Sequence, residues 1–150
     1  MRPARPADVE AIAELRAVVM RPDLERLGRY DEHRVRQRLR DGFSPQHTSI
    51  IVSAGTFAGS IALRPAEDCL RLEHFYLTPA LQGQGLGSAV LRTLLARTDT
   101  CGDLVRLNVL RGSPAARLYE RHGFTVQTQD AIDVFMLRRP KGNPADEGTS

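Results

Sequence analysis

The sequence predicts an α+β fold with a mixed, mostly antiparallel sheet, and two observations carry this prediction. Three strand-length stretches rich in β-branched, leucine and aromatic residues follow one another through short turns, at 48–54, 56–64 and 69–77. The chain then alternates strand, helix and strand (69–77, 86–98 and 103–110). A strand–helix–strand unit places its two strands parallel, whereas short turns make their neighbours antiparallel.

The N-terminal third is predicted to hold an edge strand and two helices. The polar segment 2–8 can add an edge strand, and Asp8 is expected to cap a first helix. Its apolar residues recur at helical spacing: Val9, Ile12, Leu15, Val18 and Val19. Pro22 should break or kink this helix, and the polar segment 24–35 should separate it from a second helix. That second helix is predicted at about Asp31–Arg40, with its end at Gly42.

The C-terminal half is predicted to add two helices and three strands. Leucine and valine recur at helical spacing over 86–98, and 113–123 has Ser at the N-cap, Pro next and Gly after its end. Two closing strands are expected at 124–129 and 131–139. The 150 residues suit one domain with a core, which we place at 1–139, and 140–150 reads as a disordered tail.

Composition narrows the function classes. No apolar run reaches the ~20 residues that a membrane span needs, and the N-terminus has no stretch typical of a signal peptide. We therefore expect a cytoplasmic protein without a membrane partner. Cys69 and Cys101 are far apart, without metal-type spacing, so reduced thiols and no metal site are expected.

The positive charge is mild and comes almost wholly from arginine. The net charge is +3, and Lys141 is the one lysine. A nucleic-acid binder usually has a denser basic cluster, so no nucleic-acid partner is predicted. The alternating arginines at 34–40 are interpreted as a solvated helix face, with an anion or partner site as the alternative.

Three glycines stand at every second position where a strand gives way to a helix, in the stretch "LTPALQGQGLGSAVL" (77–91). Glycine there costs roughly 1 kcal/mol per position relative to alanine. A loop without Cβ atoms lets a phosphate approach the unpaired N–H groups of the helix N-terminus. The alternative is a tight turn that needs glycine for its backbone angles alone. The stretch does not contain the P-loop motif G-x-x-x-x-G-K-[ST]. It also fails the motif G-x-G-x-x-G, because Ser88 stands where the third glycine belongs.

The loop does match Q/R-x-x-G-x-G/A through Gln82, Gly85 and Gly87, and here the chain resembles the GNAT superfamily of N-acetyltransferases. The resemblance extends through "HFYLTPALQGQGLGSAVLRTLLA" and "VRLNVLRGSPAARLYERHGF" and covers about residues 1–139. It implies a GNAT-like fold, with six to seven strands, about four helices and a parallel strand pair that splays apart. It also implies acetyl-CoA as the acetyl donor and a homodimer as one assembly that the chain can adopt.

The resemblance assigns residues to the cofactor. The diphosphate loop would be Gln82, Gly83, Gln84, Gly85, Leu86, Gly87 and Ser88. The backbone N–H near Leu77 would polarise the thioester carbonyl, and Asn108 would either line the gap between the parallel strands or only satisfy backbone groups. Many members have Asn where Ser113 stands, which puts the cofactor contact of Ser113 in doubt.

Two residues are candidates for the chemistry of acetyl transfer. Glu73 lies inside a strand beside the loop, so that burial would raise its pKa toward that of a useful base; an ion pair with a nearby arginine is the alternative. Its neighbour His74 is interpreted as a packed, hydrogen-bonded core residue. Tyr119 occupies the tyrosine position of the family's "LYE", where it would donate a proton to the departing thiolate; a plain core tyrosine is the alternative.

The acceptor site is the least defined part of the prediction. The family shapes it from the first two helices and the closing strands, which offer Tyr30, Glu32 and Phe135, with Asp31 and Asp133 nearby. We predict direct transfer to a small-molecule or peptide amine in a ternary complex, because no residue is typical of an acyl-carrying nucleophile. The alternative is a CoA-binding or protein-interaction module with little or no catalysis.

Overall fold

The computed structural model describes residues 1–142, and within them it has four α-helices and seven strands. The helices are α1 (Val9–Arg26), α2 (Glu32–Gly42), α3 (Leu86–Cys101) and α4 (Ala115–Arg121). The strands are β1 (Arg2–Pro3), β2 (Thr48–Ser53), β3 (Thr56–Pro65), β4 (Leu70–Leu77), β5 (Val105–Leu110), β6 (Thr125–Gln129) and β7 (Asp133–Arg138). The chain divides into two compact units, which are described in turn.

The first unit comprises Met1–Arg64 and Arg71–Gln84. Its strands stand in the order β1-β2-β3-β4, and both β1–β2 and β2–β3 are antiparallel, with Ile50 opposite Ser60. The apolar faces of α1 and α2 cover this sheet, because burying them removes leucine and isoleucine side chains from water. The buried cluster consists of Ile12, Ala13, Leu15, Leu39, Ile50 and Tyr76.

The second unit comprises Pro65–Leu70 and the chain from Gly85 onward. Its strands stand in the order β5-β7-β6, with β7 antiparallel to both neighbours. Helix α3 buries one stripe at helical spacing, which is what its leucine pattern predicts. The buried residues of that stripe are Val90, Leu91, Leu94 and Leu95.

Strands β4 and β5 begin side by side. Within the second unit, the N–H of Leu70, the first residue of β4, donates to the carbonyl of Leu104, just before β5, at 2.8 Å. Strands whose first residues are neighbours run in the same direction. The predicted fold class is therefore confirmed: an α+β fold with a mixed sheet, four helices, and β4 and β5 as its parallel pair.

The prediction that Pro22 ends or kinks the first helix is wrong about the end, since α1 continues to Arg26 with Pro22 inside it. Proline removes the hydrogen bond to the carbonyl four residues earlier. That carbonyl belongs to Val18, which, like Pro22, lies on the exposed side of the helix. Water can therefore replace the missing bond. The left-handed residue that terminates the helix is Gly28 (φ 69°), two residues after its end, and Arg29 N–H donates to the Leu24 carbonyl at 2.8 Å.

Two predicted caps differ from each other in outcome. Asp8 makes no side-chain cap to α1. It ends a 3₁₀ turn, Pro6–Asp8, and its carboxylate instead accepts from Arg5 N–H at 2.7 Å and forms an ion pair with Arg2. Helix α4 starts at Ala115, one residue later than predicted, but the hydroxyl of Ser113 accepts from Ala115 N–H at 3.3 Å. The predicted tail lies mostly outside the described residues.

Arg138 on β7 ties together three segments of the second unit. Its guanidinium makes two hydrogen bonds with the Asp99 carboxylate (2.7 and 2.9 Å) and one with the His122 carbonyl (2.8 Å). Only 5% of the Arg138 side chain is exposed. Removing one partner of a buried ion pair leaves the other charge uncompensated.

We expect Arg138→Met to lower the free energy of unfolding by about 3 kcal/mol in urea denaturation at pH 7. Arg138 holds the pKa of Asp99 below its ordinary value of 3.8, chiefly through these hydrogen bonds. The unfolded chain then binds more protons on acidification, so the contribution is complete at pH 7 and is lost as the pH falls below 3.8. The exposed pair Arg21–Glu25 supplies the control, because Arg21→Met should change stability little. Equal effects of the two substitutions would contradict this account.

Candidate functional site

The glycine loop leaves β4 through a 3₁₀ turn, Pro79–Leu81, and enters α3 at Gly85. Gly83 and Gly85 have φ angles of 77° and 82°, which L side chains rarely adopt. The side-chain amide of Gln82 donates to the Leu77 carbonyl at 3.1 Å. The loop is thus held by its own first residue, while its two left-handed positions require glycine.

The start of α3 fits an anionic group. Gly85 is the N-cap and offers no side chain, and the first helical bond runs from Ala89 N–H to the Gly85 carbonyl at 3.0 Å. The N–H groups of Leu86, Gly87 and Ser88 precede that bond, so they are the donors that a helix N-terminus leaves for a ligand. A Cβ built at Gly83 or Gly85 would meet no atom within 4 Å, so the protein leaves this space open. The residues present therefore fit the diphosphate of a CoA thioester.

Ser88 joins α3 to the end of α4. Its hydroxyl lies 3.0 Å from Nε2 of His122. Burial, followed by the charges of four nearby cations, lowers the pKa of His122. Those cations are Arg92, Arg121, Arg138 and Lys141. Asp99 neutralises one of these cations, Arg138, through its ion pair.

Tyr119 lies on α4 and is buried, with 6% of its surface exposed. Its ring packs edge-on against Phe124, with 5.6 Å between the ring centroids and 68° between the planes. Two backbone N–H groups, of His122 and Phe124, donate to its carbonyl at 3.0 and 3.1 Å. Helix α4 and the turn after it therefore fix the Tyr119 ring. This geometry serves either interpretation of Tyr119, the acid or the core residue.

Glu73 lies on β4 in a bidentate ion pair. Its carboxylate accepts from Nη2 of Arg64 at 2.8 Å and from Nε at 3.3 Å, and Arg71 Nε is 3.6 Å away. Burial is the largest influence on the pKa of Glu73 and would raise it, but the hydrogen bonds and charge of Arg64, with the charges of His74 and Arg71, together lower it. The predicted rise in the pKa of Glu73 is therefore wrong, and the ion pair with an arginine is observed.

Arg64→Gln should raise the pKa of Glu73, because it removes both the hydrogen bonds and the charge that lower it. A carbon-13 NMR titration of the glutamate carboxyl groups measures this change directly. Arg71→Gln is the matched control, and it should raise the pKa less because Arg71 is farther away. The same titration curve in wild type and Arg64→Gln would show that Arg64 does not set the pKa.

The other predicted cofactor residues fall in both units. Leu77 ends β4 in the first unit, where Thr78 N–H donates to the Ala58 carbonyl at 2.8 Å. Asn108 lies exposed on β5 in the second unit, and its amide donates to the Asp133 carboxylate at 3.1 Å. This bond to Asp133 does not decide between the two predicted roles of Asn108.

The predicted acceptor residues are likewise divided. Tyr30 lies in the turn between α1 and α2, with the Arg21 guanidinium 4.7 Å from its ring centroid, a cation–π contact. Glu32 begins α2, and its side chain is 80% exposed. Both belong to the first unit. Phe135 lies on β7 of the second unit, opposite Asn108 and Thr128.

The arginines at 34–40 take part in the packing of α1 on α2. Arg36 makes two hydrogen bonds with Glu14 (2.8 and 3.1 Å), and Arg40 makes two with Glu10 (2.8 and 3.0 Å). Half of this basic run is therefore neutralised by carboxylates of α1. Among residues 1–142, no helix is long and apolar enough to cross a membrane.

Two features of the first and second units were not predicted. The contact of Ser88 with His122 joins residues 34 positions apart, and the sequence gives no signal for it beyond the His in "ERHGF". In the first unit, hydrogen bonds join Arg16, Tyr76 and His74; the hydrogen bonding of His74 was predicted, but its link through Tyr76 to Arg16 was not. An arginine among the apolar positions of α1 was the available signal, since a buried guanidinium needs partners.

A family model described as "Acetyltransferase (GNAT) domain" matches residues 22–134. This range covers most of the chain and contains the glycine loop and Tyr119. No curated protein matches the sequence. The family match therefore rests on the pattern of residues that the members of a family share.

Solved structures of acetyltransferases have the same fold. PaiA N-acetyltransferase from Thermoplasma acidophilum, in complex with coenzyme A, has a TM-score of 0.73 at 20% identity, with 92% of this chain and 96% of that chain covered. An N-acetyltransferase from Staphylococcus aureus Mu50 has a TM-score of 0.69 at 20% identity (91% and 97%). The ribosomal-protein-S18-alanine N-acetyltransferase from Escherichia coli has a TM-score of 0.60 at 21% identity (72% and 78%). At these identities the likeness shows the fold.

Proposed function

Because the chain belongs to the GNAT acetyltransferase family, we propose that it moves the acetyl group of acetyl-CoA to a primary amine by direct transfer in a ternary complex. Acetyl-CoA is the acetyl donor of this family and supplies a thioester that an amine can attack. The observation that carries the proposal is the start of α3. There, left-handed glycines leave open space in front of unpaired backbone donors.

Each step of the transfer requires one group of the protein. The loop from Gln82 to Ser88 binds the diphosphate through backbone N–H groups at the positive end of α3. The N–H near Leu77 orients the thioester carbonyl. The hydroxyl of Tyr119 donates its proton to the departing thiolate, because a phenol with an ordinary pKa near 10 is still protonated at neutral pH.

The amine must lose a proton before or during attack. With a pKa near 10.4, only about one lysine-like amine in 2,500 is neutral at pH 7, so a base contributes on the order of 10²–10⁴ in rate. We assign this proton to Glu73, directly or through a water. The ion pair with Arg64 makes the Glu73 carboxylate a weak base that stays ionised at neutral pH. Such a carboxylate can accept a proton through water for a short time but does not keep it.

The acceptor is an amine of a small molecule or a peptide, for which we propose contacts with Tyr30, Glu32 and Phe135. The exposed carboxylate of Glu32 suits a cationic amine. The test is a panel of a polyamine, an aminoglycoside, free amino acids and lysine peptides, incubated with the chain and acetyl-CoA. Release of thiol together with an acetylated amine in the mass spectrum supports the proposal. Binding of acetyl-CoA without transfer to any amine would favour a CoA-binding module instead.

A further inference from the structure

Strand β4 adopts a left-handed backbone conformation in its middle. His74 has a φ of 49°, which costs an L residue roughly 1–2 kcal/mol. Among residues 1–142, the other non-glycine residue with positive φ is Ala54, which lies in the tight turn between β2 and β3, where the turn accounts for it. His74 lies inside a strand, one residue after Glu73 and three before Leu77. The surrounding structure must supply the energy that holds it there.

Side chains from α1 and β4 supply part of that energy. Nδ1 of His74 lies 3.1 Å from the Tyr76 hydroxyl, and Arg16 Nε donates to the same hydroxyl at 3.0 Å. The Arg16 guanidinium also donates to the Val35 carbonyl. Tyr76 and Arg16 are 9% and 8% exposed, so a full positive charge is buried to make these bonds.

Strand β3 holds the same stretch from its other side. The Ser60 hydroxyl donates to the His74 carbonyl at 2.8 Å, and Ser60 is fully buried. The carbonyl of Tyr76 lies 2.0 Å from where a Cβ at position 59 would be, so Gly59 is the residue that permits this approach. His74 is therefore held through its side chain by Tyr76 and through its carbonyl by Ser60, and Tyr76 itself packs against Gly59.

We propose that four residues of the first unit are positioning residues for acetyl transfer, and we call them the β4 clamp: Arg16, Ser60, His74 and Tyr76. The clamp holds β4 left-handed at His74, and thereby fixes the directions of the Glu73 carboxylate and of the backbone N–H near Leu77. This inference rests on the proposed function. Packing alone does not explain the clamp, because well-packed apolar residues usually stabilise a core at least as well as a buried charge does.

The clamp should work while His74 is neutral. Burial and then the charge of Arg16 lower the pKa of His74, with Arg64 acting in the same direction and Glu73 opposing it. Of these charged residues, Arg16 lies on α1 and Arg64 on β3. The end of α2 also packs near the His74 ring, because a Cβ at Gly42 would lie 3.7 Å from its Nε2. Protonation would place a second buried cation beside Arg16. Transfer should therefore weaken as the pH falls through the lowered pKa of His74.

The decisive comparison uses Tyr76→Phe and the double variant His74→Gly/Tyr76→Phe. Tyr76→Phe keeps the ring in the core but removes the hydroxyl, so that the strained conformation loses the support given through the His74 side chain. We expect kcat to fall about 10- to 100-fold, with the KM for acetyl-CoA within twofold, the pattern for a group that acts in the transition state. Glycine adopts positive φ without strain, so His74→Gly in this background should restore most of kcat.

Hydrogen exchange of the β4 amides gives a second readout that needs no acceptor. Exchange at Phe75–Leu77 should be faster in Tyr76→Phe and slower again in the double variant. Arg16→Met, alone and with His74→Gly, repeats the comparison if Tyr76→Phe does not fold. A Tyr76→Phe enzyme with wild-type kcat, or a double variant no better than the single one, would overturn the positioning role. Absence of transfer by wild type would instead count against the proposed function.

Discussion

The Gly85→Glu variant should lose acetyl-CoA binding, by at least about 100-fold in Kd, while it remains folded. Gly85 is the N-cap of α3 at φ 82°, and the space beyond its Cβ position is open. A glutamate side chain would fill that space and place a negative charge where the diphosphate must lie. Repulsion between like charges adds to the steric block.

Backbone strain must be separated from lost binding, and α3 offers a matched control. Gly102 caps the other end of the same helix at φ 72°, also with nothing within 4 Å of its Cβ position. Gly102→Glu therefore carries a similar strain, about 1–2 kcal/mol, without touching the loop. Calorimetric titration of wild type and both variants measures the difference. Retained binding by Gly85→Glu would mean that the glycines only shape a turn.

The Tyr119→Phe variant should lower kcat on the order of 10²–10³-fold and leave the KM for acetyl-CoA within about twofold. A phenylalanine keeps the edge-on contact with Phe124 but has no proton to donate to the thiolate. The defect should therefore appear in the chemical step rather than in binding.

Steady-state kinetics with the amine found in the panel measures this split. Thermal unfolding is the control, and the melting temperatures of wild type and Tyr119→Phe should agree within a few degrees because the ring stays packed. A raised KM with unchanged kcat would assign Tyr119 to binding. Full turnover by a folded Tyr119→Phe enzyme would remove it from the mechanism and leave the core interpretation.

Local patterns in the sequence were sufficient for the elements and for the loop. The period of apolar residues located α3, and the order of strands and helices predicted the mixed sheet that is observed. Gly83 and Gly85 could be singled out because backbone positions with positive φ strongly favour glycine. These signals succeed because they depend on neighbours in the chain.

The predictions failed where distant residues meet. The pKa of Glu73 depends on Arg64, which lies nine positions earlier and becomes a partner only when β3 and β4 lie side by side. His74 has a positive φ inside a strand, and the Ser60 hydroxyl that donates to its carbonyl lies 14 positions earlier in the chain. Electrostatics and strain within the site are therefore products of the tertiary structure.

The arginine pairs between α1 and α2 have a consequence for the acetylated products of this chain itself. A guanidinium stays protonated and is a poor nucleophile toward a thioester, so Arg36 and Arg40 keep their bonds to Glu14 and Glu10 in the presence of the donor. Lys141 is the one lysine of the chain, so it offers the one lysine side chain that can be acetylated. Self-acetylation of lysine in long incubations is therefore limited to one acetyl group. Intact-mass spectra can be read against that limit, and α1 and α2 contain no side-chain amine that the donor could modify.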